Sequence, residues 1–140
     1  MATLSFDGFS ALELSLEQLA AIPPDVKSEM LNDAIDVIVD AQKAKAEEYG
    51  IADTGLMIES IKKGKPNLTE GGFSIACTPE GTRTRGRTKT RNAEIAYINE
   101  YGKAGMPARQ FMRDANAEAE ELAVETAEKK YHNWLDKIGL

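Results

Sequence analysis

The chain has 140 residues, 42% of them hydrophobic and 29% charged, with a formal net charge of −6, which suits one domain with a modest core. No apolar run approaches the roughly 18 residues that a membrane span needs. Residues 1–7 lack the basic and apolar regions of a secretory signal, and the single Cys77 excludes an internal disulfide framework and a cysteine-based zinc cluster. The charge is unevenly distributed. Residues 1–61 carry three basic and twelve acidic side chains (−9), residues 62–113 eleven and four (+7), and residues 114–140 three and seven (−4). A basic middle between acidic flanks implies one positive surface, which steers toward DNA or toward an acidic patch on another copy or another protein.

In chain order, residues 3–6 read as a short strand. Asp7 or Ser10 can cap a first helix carrying Leu12, Leu16 and Leu19, which stops at Ile22-Pro23-Pro24 because the residue before proline is pushed out of helical geometry. Pro24 then opens a second helix over residues 24–49. Its apolar stripe is Val26, Met30, Ala34, Val37, Ile38, Ala41 and Ala44, and Gly50 ends it. Asp53-Thr54-Gly55 reads as a cap or turn, after which Leu56, Ile58 and Ile61 supply apolar core contacts in one helical turn leading into a strand. Asp53 as a catalytic carboxylate has no partner carboxylate or histidine at a convincing spacing.

Residues 62–91 read as β-structure around an exposed loop. Lys65-Pro66-Asn67 and Glu70-Gly71-Gly72 are turn signals, and Phe73, Ile75 and Cys77 alternate with polar or small residues as a half-buried strand does. Cys77 then falls on the apolar side, as a small core residue. The next segment places Arg83, Arg85, Arg87, Lys89 and Arg91 at every odd position, with Thr or Gly between. Extended, it presents all five charges on one face. A mobile arm or hairpin tip over residues 80–92 follows, because packed like charges repel. DNA phosphate, an acidic face of a neighbouring subunit, and solvent alone are the three environments that fit it. The absence of interleaved aromatics makes any DNA contact nonspecific. Residues 93–101 suit a two-turn helix with Ile95, Ala96, Ile98 and Tyr101 apolar, ended by Gly102. Pro107 or Ala108 opens a last helix to about residue 137, with Phe111, Ala115, Ala119, Leu122, Thr126 and Tyr131, together with Trp134, Leu135 and Ile138, on its face.

The fold expected is α+β: a small antiparallel sheet packed with N-terminal helices and a long C-terminal helix, in a single domain over residues 1–140. An enzyme reading finds little. His132 is the lone histidine, there is no phosphate loop or metal-ligand spacing, and Glu59 and Glu100 are the only acids in their blocks apart from Asp53 and Asp114. No catalytic, metal, cofactor or small-molecule site is expected.

The ordered set Asp53-Thr54-Gly55, Ser60-Ile61, Ala96-Tyr97, Glu100-Tyr101-Gly102 and Pro107-Ala108-Arg109-Gln110-Phe111 resembles the head–tail joining, neck or tail-component family (gene-product-ten type) of lambda-like tailed phages. The resemblance covers nearly the whole chain in order, although each piece is short. It implies a virion structural protein, made in the bacterial host cytoplasm and placed in the neck or tail. It also implies a ring-type homo-oligomer contacting other neck and tail proteins, with possible nonspecific contact with channel DNA. The regular basic arm departs from the family pattern, so its role is not inherited. The other two readings are a nonspecific nucleic-acid-binding protein and a small adaptor, each acting through the arm.

Overall fold

The computed structural model of the chain describes residues 2–5, 22–51, 56–69, 72–85 and 87–138. The expected first helix with Leu12, Leu16 and Leu19, and the turn at Asp53, Thr54 and Gly55, lie outside the described residues. In order, the elements are β1 (Ala2–Ser5), α1 (Pro24–Glu48), α2 (Leu56–Glu59), β2 (Ile61–Lys63), β3 (Asn67–Thr69), β4 (Gly72–Pro79), β5 (Thr82–Arg85), β6 (Thr88–Arg91), α3 (Asn92–Tyr101) and α4 (Phe111–Lys137). The architecture is α+β, as expected.

Helix α1 starts where proline chemistry directs. Pro23 is the extended N-cap and Pro24 sits in the first turn, where a missing N–H costs nothing. Its end is a Schellman motif. Gly50 adopts φ +68°, its N–H donates to Glu47 O at 3.0 Å, and the Ile51 N–H reaches back to Ala46 O at 3.0 Å. Ile51 and Ala46 are both buried, supplying the apolar contact that accompanies this motif.

Strand β4 is the centre of the main sheet, with β1 antiparallel on one edge and β2 and β3 antiparallel on the other. β2 and β3 are two halves of one strand. Lys63 pairs with Cys77 and Asn67 with Ser74, so three residues (64–66) face two (75–76). That is a bulge, and the Gly64 N–H bonds Ala76 O across it at 2.7 Å. Phe73, Ile75 and Cys77 are buried and their neighbours half-buried, so the predicted alternation holds.

Helix α1 packs against both this sheet and α4, which explains a wider buried face than the sequence stripe. Leu31, Ile35, Val39, Gln42 and Ala46 are buried as well as Met30, Ala34 and Ile38, whereas Ala44 is exposed. Helix α4 runs antiparallel to α1. Lys130 near its end pairs with Asp33 at 3.2 Å and Glu29 at 3.6 Å, and near its start Glu118 pairs with Lys45 at 2.8 Å and Asp114 with the Tyr49 hydroxyl. Between these polar ends, Ala115, Ala119, Ala123 and Ala127 form a ridge of small side chains at four-residue spacing, closed by Phe111 and Tyr131. The expected face is therefore corrected: Leu122 and Ile138 are exposed and Thr126 only half-buried, because the contact line follows the alanines and the helix ends at Lys137. The helix also starts at Phe111 rather than at Pro107 or Ala108.

The buried Gln42 amide bridges the layers. It accepts from Cys77 Sγ at 3.6 Å and donates to Asn116 Oδ1 at 2.9 Å. Both ends are satisfied, so its burial carries little penalty. Lys45 is held above its ordinary pKa by hydrogen bonds to Glu118 and Glu48, Tyr49 by its bond to Asp114 and by desolvation, and Lys130 by its bond to Asp33.

Candidate interaction surface

The basic segment folds as a β-hairpin, β5 paired with β6, with two residues between the paired Arg85 and Thr88. The register is Thr82 with Arg91, Arg83 with Thr90, Thr84 with Lys89 and Arg85 with Thr88. Directly paired positions share a face. The positions of Arg83 and Arg85 therefore fall on one face of the ribbon and those of Lys89 and Arg91 on the other. This corrects the expectation that all five charges share a face. The physical reason is electrostatic: every cation is set opposite a threonine. A register slipped by one residue would set Arg83 opposite Arg91 and Arg85 opposite Lys89, which like-charge repulsion disfavours. Gly86 lies outside the described residues; Arg87, Lys89 and Arg91 are exposed.

The hairpin is anchored at its base. Asn92, the first residue of α3, is buried; its N–H bonds Gly81 O at 3.0 Å and its side-chain amide donates to Glu80 O at 2.9 Å. Glu80 N–H in turn bonds Ser60 O at 2.9 Å, and the Ser60 hydroxyl donates to Met57 O at 2.6 Å. Ser60 thus joins the α2–β2 corner to the end of β4, and Ile61 beside it is buried in the core. The sequence expectation of Leu56 as a core contact is corrected, since it is exposed while Met57 and Ile58 are buried.

Helix α3 inverts the usual pattern. It buries Asn92, Asn99 and Glu100 and leaves Tyr97 and Tyr101 each 64% exposed. The expected apolar placement of Tyr101 is therefore corrected. The Asn99 amide donates to Ile95 O of its own helix at 2.9 Å, and Glu100 acts at the chain's next junction. Glu100, only 6% exposed, accepts from the backbone N–H of Met112 at 2.8 Å and of Arg113 at 3.1 Å. It serves as the N-terminal cap of α4 from another helix, where a carboxylate also meets the positive end of the dipole. Asn99 O and Glu100 O accept the Arg109 and Gln110 N–H groups. Gln110, the backbone N-cap of α4, has φ +22° and no side-chain cap bond of its own. Gly102 ends α3 at φ +78°, and a Cβ there would lie 2.8 Å from both Met106 O and Ala108 N, so only glycine fits. Lys103 and Met106 exchange two backbone bonds of 2.9 Å to close the turn. Pro107 is exposed and Phe111 fully buried.

The second sequence block is thus one junction that aims α4, and its two tyrosines are what that junction leaves outside. Their rings lie in contact, 4.7 Å between centroids and inclined at 48° to each other. They border a groove of about 470 Å³ whose walls include Pro79, Arg91, Ala96 and Met112. Exposed tyrosine and arginine around an apolar groove form the composition that protein interfaces favour. Sequence reading had placed the cations but not this neighbour. The four-residue spacing of Tyr97 and Tyr101 was the available signal.

Elsewhere the surface offers less. His132 is exposed on α4 against the edge of Tyr131, Cys77 is buried, and among the described residues no group of three or more His, Cys, Asp or Glu is placed to hold a metal ion. No described helix is long and apolar enough to cross a membrane. In comparisons with known proteins, no family model, no curated protein and no solved structure matches this chain.

Proposed function

We propose that the protein is a structural component of a tailed-phage neck or tail-completion assembly, which joins head and tail by associating with copies of itself and with adjacent neck and tail proteins. The observation that carries this reading is the ordered motif set. Ser60-Ile61, Glu100-Tyr101-Gly102 and Pro107 through Phe111 recur in the order of the family that the sequence resembles, and each has a scaffold role here. Ser60 ties α2 to β4, Glu100 and Gly102 aim α4, and Phe111 seals the core. Such a scaffold supports assembly rather than catalysis. It holds a charged hairpin and an exposed tyrosine pair at fixed positions, as a subunit that meets its neighbours through different patches requires. The test is electron microscopy of lysates from a parent phage with this gene disrupted. Filled heads beside finished, separate tails are expected; normal joined particles would remove the neck assignment.

A second reading, nonspecific nucleic-acid binding, is favoured by the exposed Arg87, Lys89 and Arg91. It requires a gel shift by the isolated protein that weakens steeply with salt. The net charge of −6 opposes it.

A further inference from the structure

We infer that the hairpin–tyrosine surface is one half of a contact between copies of this chain, and that the other half is the outward face of α4 around Glu121, Leu122 and Glu125. The inference rests on the self-assembling reading above and specifies its two surfaces.

Charge complementarity is the first argument. Arg87, Lys89 and Arg91 are exposed and have no ion pair among the described residues. On α4, Glu118, Glu121, Glu125 and Glu128 recur at three- and four-residue steps and so share one outward strip. Of these only Glu118 has a partner, Lys45; Glu121 and Glu125 are exposed and unpaired among the described residues. Carboxylates four apart destabilise a helix, and a ribbon dense in cations repels itself. Neither arrangement helps this chain to fold, and one contact between copies relieves both.

Shape is the second argument. Leu122 stands 56% exposed between Glu118, Glu121 and Glu125, an apolar knob within an acidic strip. The groove beside Tyr97 and Tyr101 is an apolar recess of Pro79, Ala93, Ala96 and Met112, with the exposed Arg91 and Glu94 and the buried Glu100 also lining it. Knob and recess are both apolar, and the cations that would face the acidic strip are Arg87, Lys89 and Arg91 of the hairpin beside the recess.

Position is the third argument. Met112 lines the groove and Leu122 is ten residues further along the same helix, about 15 Å at the helical rise. The two patches are separate parts of the surface. A contact between them is head-to-tail, and repeats of it build a ring when the rotation closes.

The experiment uses two charge-reversed chains. One carries Arg87→Glu, Lys89→Glu and Arg91→Glu; the other carries Glu121→Lys and Glu125→Lys. Each is studied by native mass spectrometry and light scattering at low and high salt, with thermal melting to establish that the exposed substitutions leave the fold intact. Wild type is expected to associate, more weakly as salt rises. Each reversed chain alone should associate at least tenfold more weakly. An equimolar mixture of the two should recover the association, because reversed hairpin then meets reversed helix and native hairpin meets native helix. Leu122→Asp should weaken wild-type association without altering the charge complement of the hairpin. The inference is overturned if wild type stays monomeric at low salt, if folded reversed chains associate as wild type does, or if the mixture does not recover. Wild-type rings insensitive to these substitutions would sink only this pairing of surfaces. Normal particles after gene disruption would sink the neck reading itself.

Discussion

The body of the molecule, α1 and α4 with the β4-centred sheet, and its edge, the β5–β6 hairpin with the outer side of α3, use side chains in opposite ways. In the body each unusual residue has an internal reason. The four alanines of α4 let it lie against α1, buried Gln42 is bonded on both sides, and buried Glu100 caps a helix. At the edge no such reason is found among the described residues. In the β5–β6 register each paired cation lies opposite a threonine, and two tyrosines in contact with each other face solvent. The composition of the body is thus explained by folding, whereas that of the edge is not explained by contacts among the described residues.

Four outcomes break or sharpen this contrast. The largest effect belongs to Gly102→Ala, which forces a side chain onto φ +78° and into the Met106–Ala108 backbone. A loss of about 3 kcal/mol in chemical denaturation is expected, and a loss under 0.5 kcal/mol would show that the junction adapts freely. Next is Glu100→Ala, which leaves the Met112 and Arg113 N–H groups without their carboxylate. About 1–2 kcal/mol is expected, and equal stability of the variant and wild type would remove the capping role.

The third outcome concerns alkaline pH. Lys45 and Lys130 are raised above 10.5, and Tyr49 and Tyr131 above 10.0, the last by burial. A folded-state pKa above the unfolded one contributes stability that is fully present below the unfolded value and is lost as pH rises through the folded one. The melting temperature should therefore hold near pH 9 and fall above about pH 10. Lys45→Met should make that fall shallower; an unchanged profile would mean that the polar ends of the helix pair contribute nothing. The smallest effect is on the edge. Arg87→Ser with Lys89→Ser should change folding stability by less than about 0.5 kcal/mol while, on the proposed neck role, reducing the yield of joined particles. A large loss of stability would place the hairpin in the body after all.

The helices were the most legible elements. Pro23-Pro24 and Gly50 bracket α1 by local rules that need no partner, and Gly102 marks the end of α3 in the same way. The strand at Phe73, Ile75 and Cys77 shows in its alternation. The bulge at Gly64 did not show, because two register-shifted half-strands exist only relative to β4. The start of α4 was placed too early for a similar reason: Pro107 is a good local start signal, yet the helix begins where Glu100, from another helix, supplies the cap. The basic positions of the candidate surface were plain in the sequence, but their division between two faces follows from cross-strand pairing, which no single strand encodes.

By itself the sequence determined the element types, the chain breaks and the location of excess charge, since these depend on residues within a few positions of one another. Only the tertiary structure decided which polar residues are buried and which aromatics are left outside. Asn92 and Glu100 go inward because backbone groups from other segments take their hydrogen bonds, and an unpaired buried donor costs more than an exposed ring. Tyr97 and Tyr101 are turned outward by that same choice, and the surface proposed for assembly exists because of it.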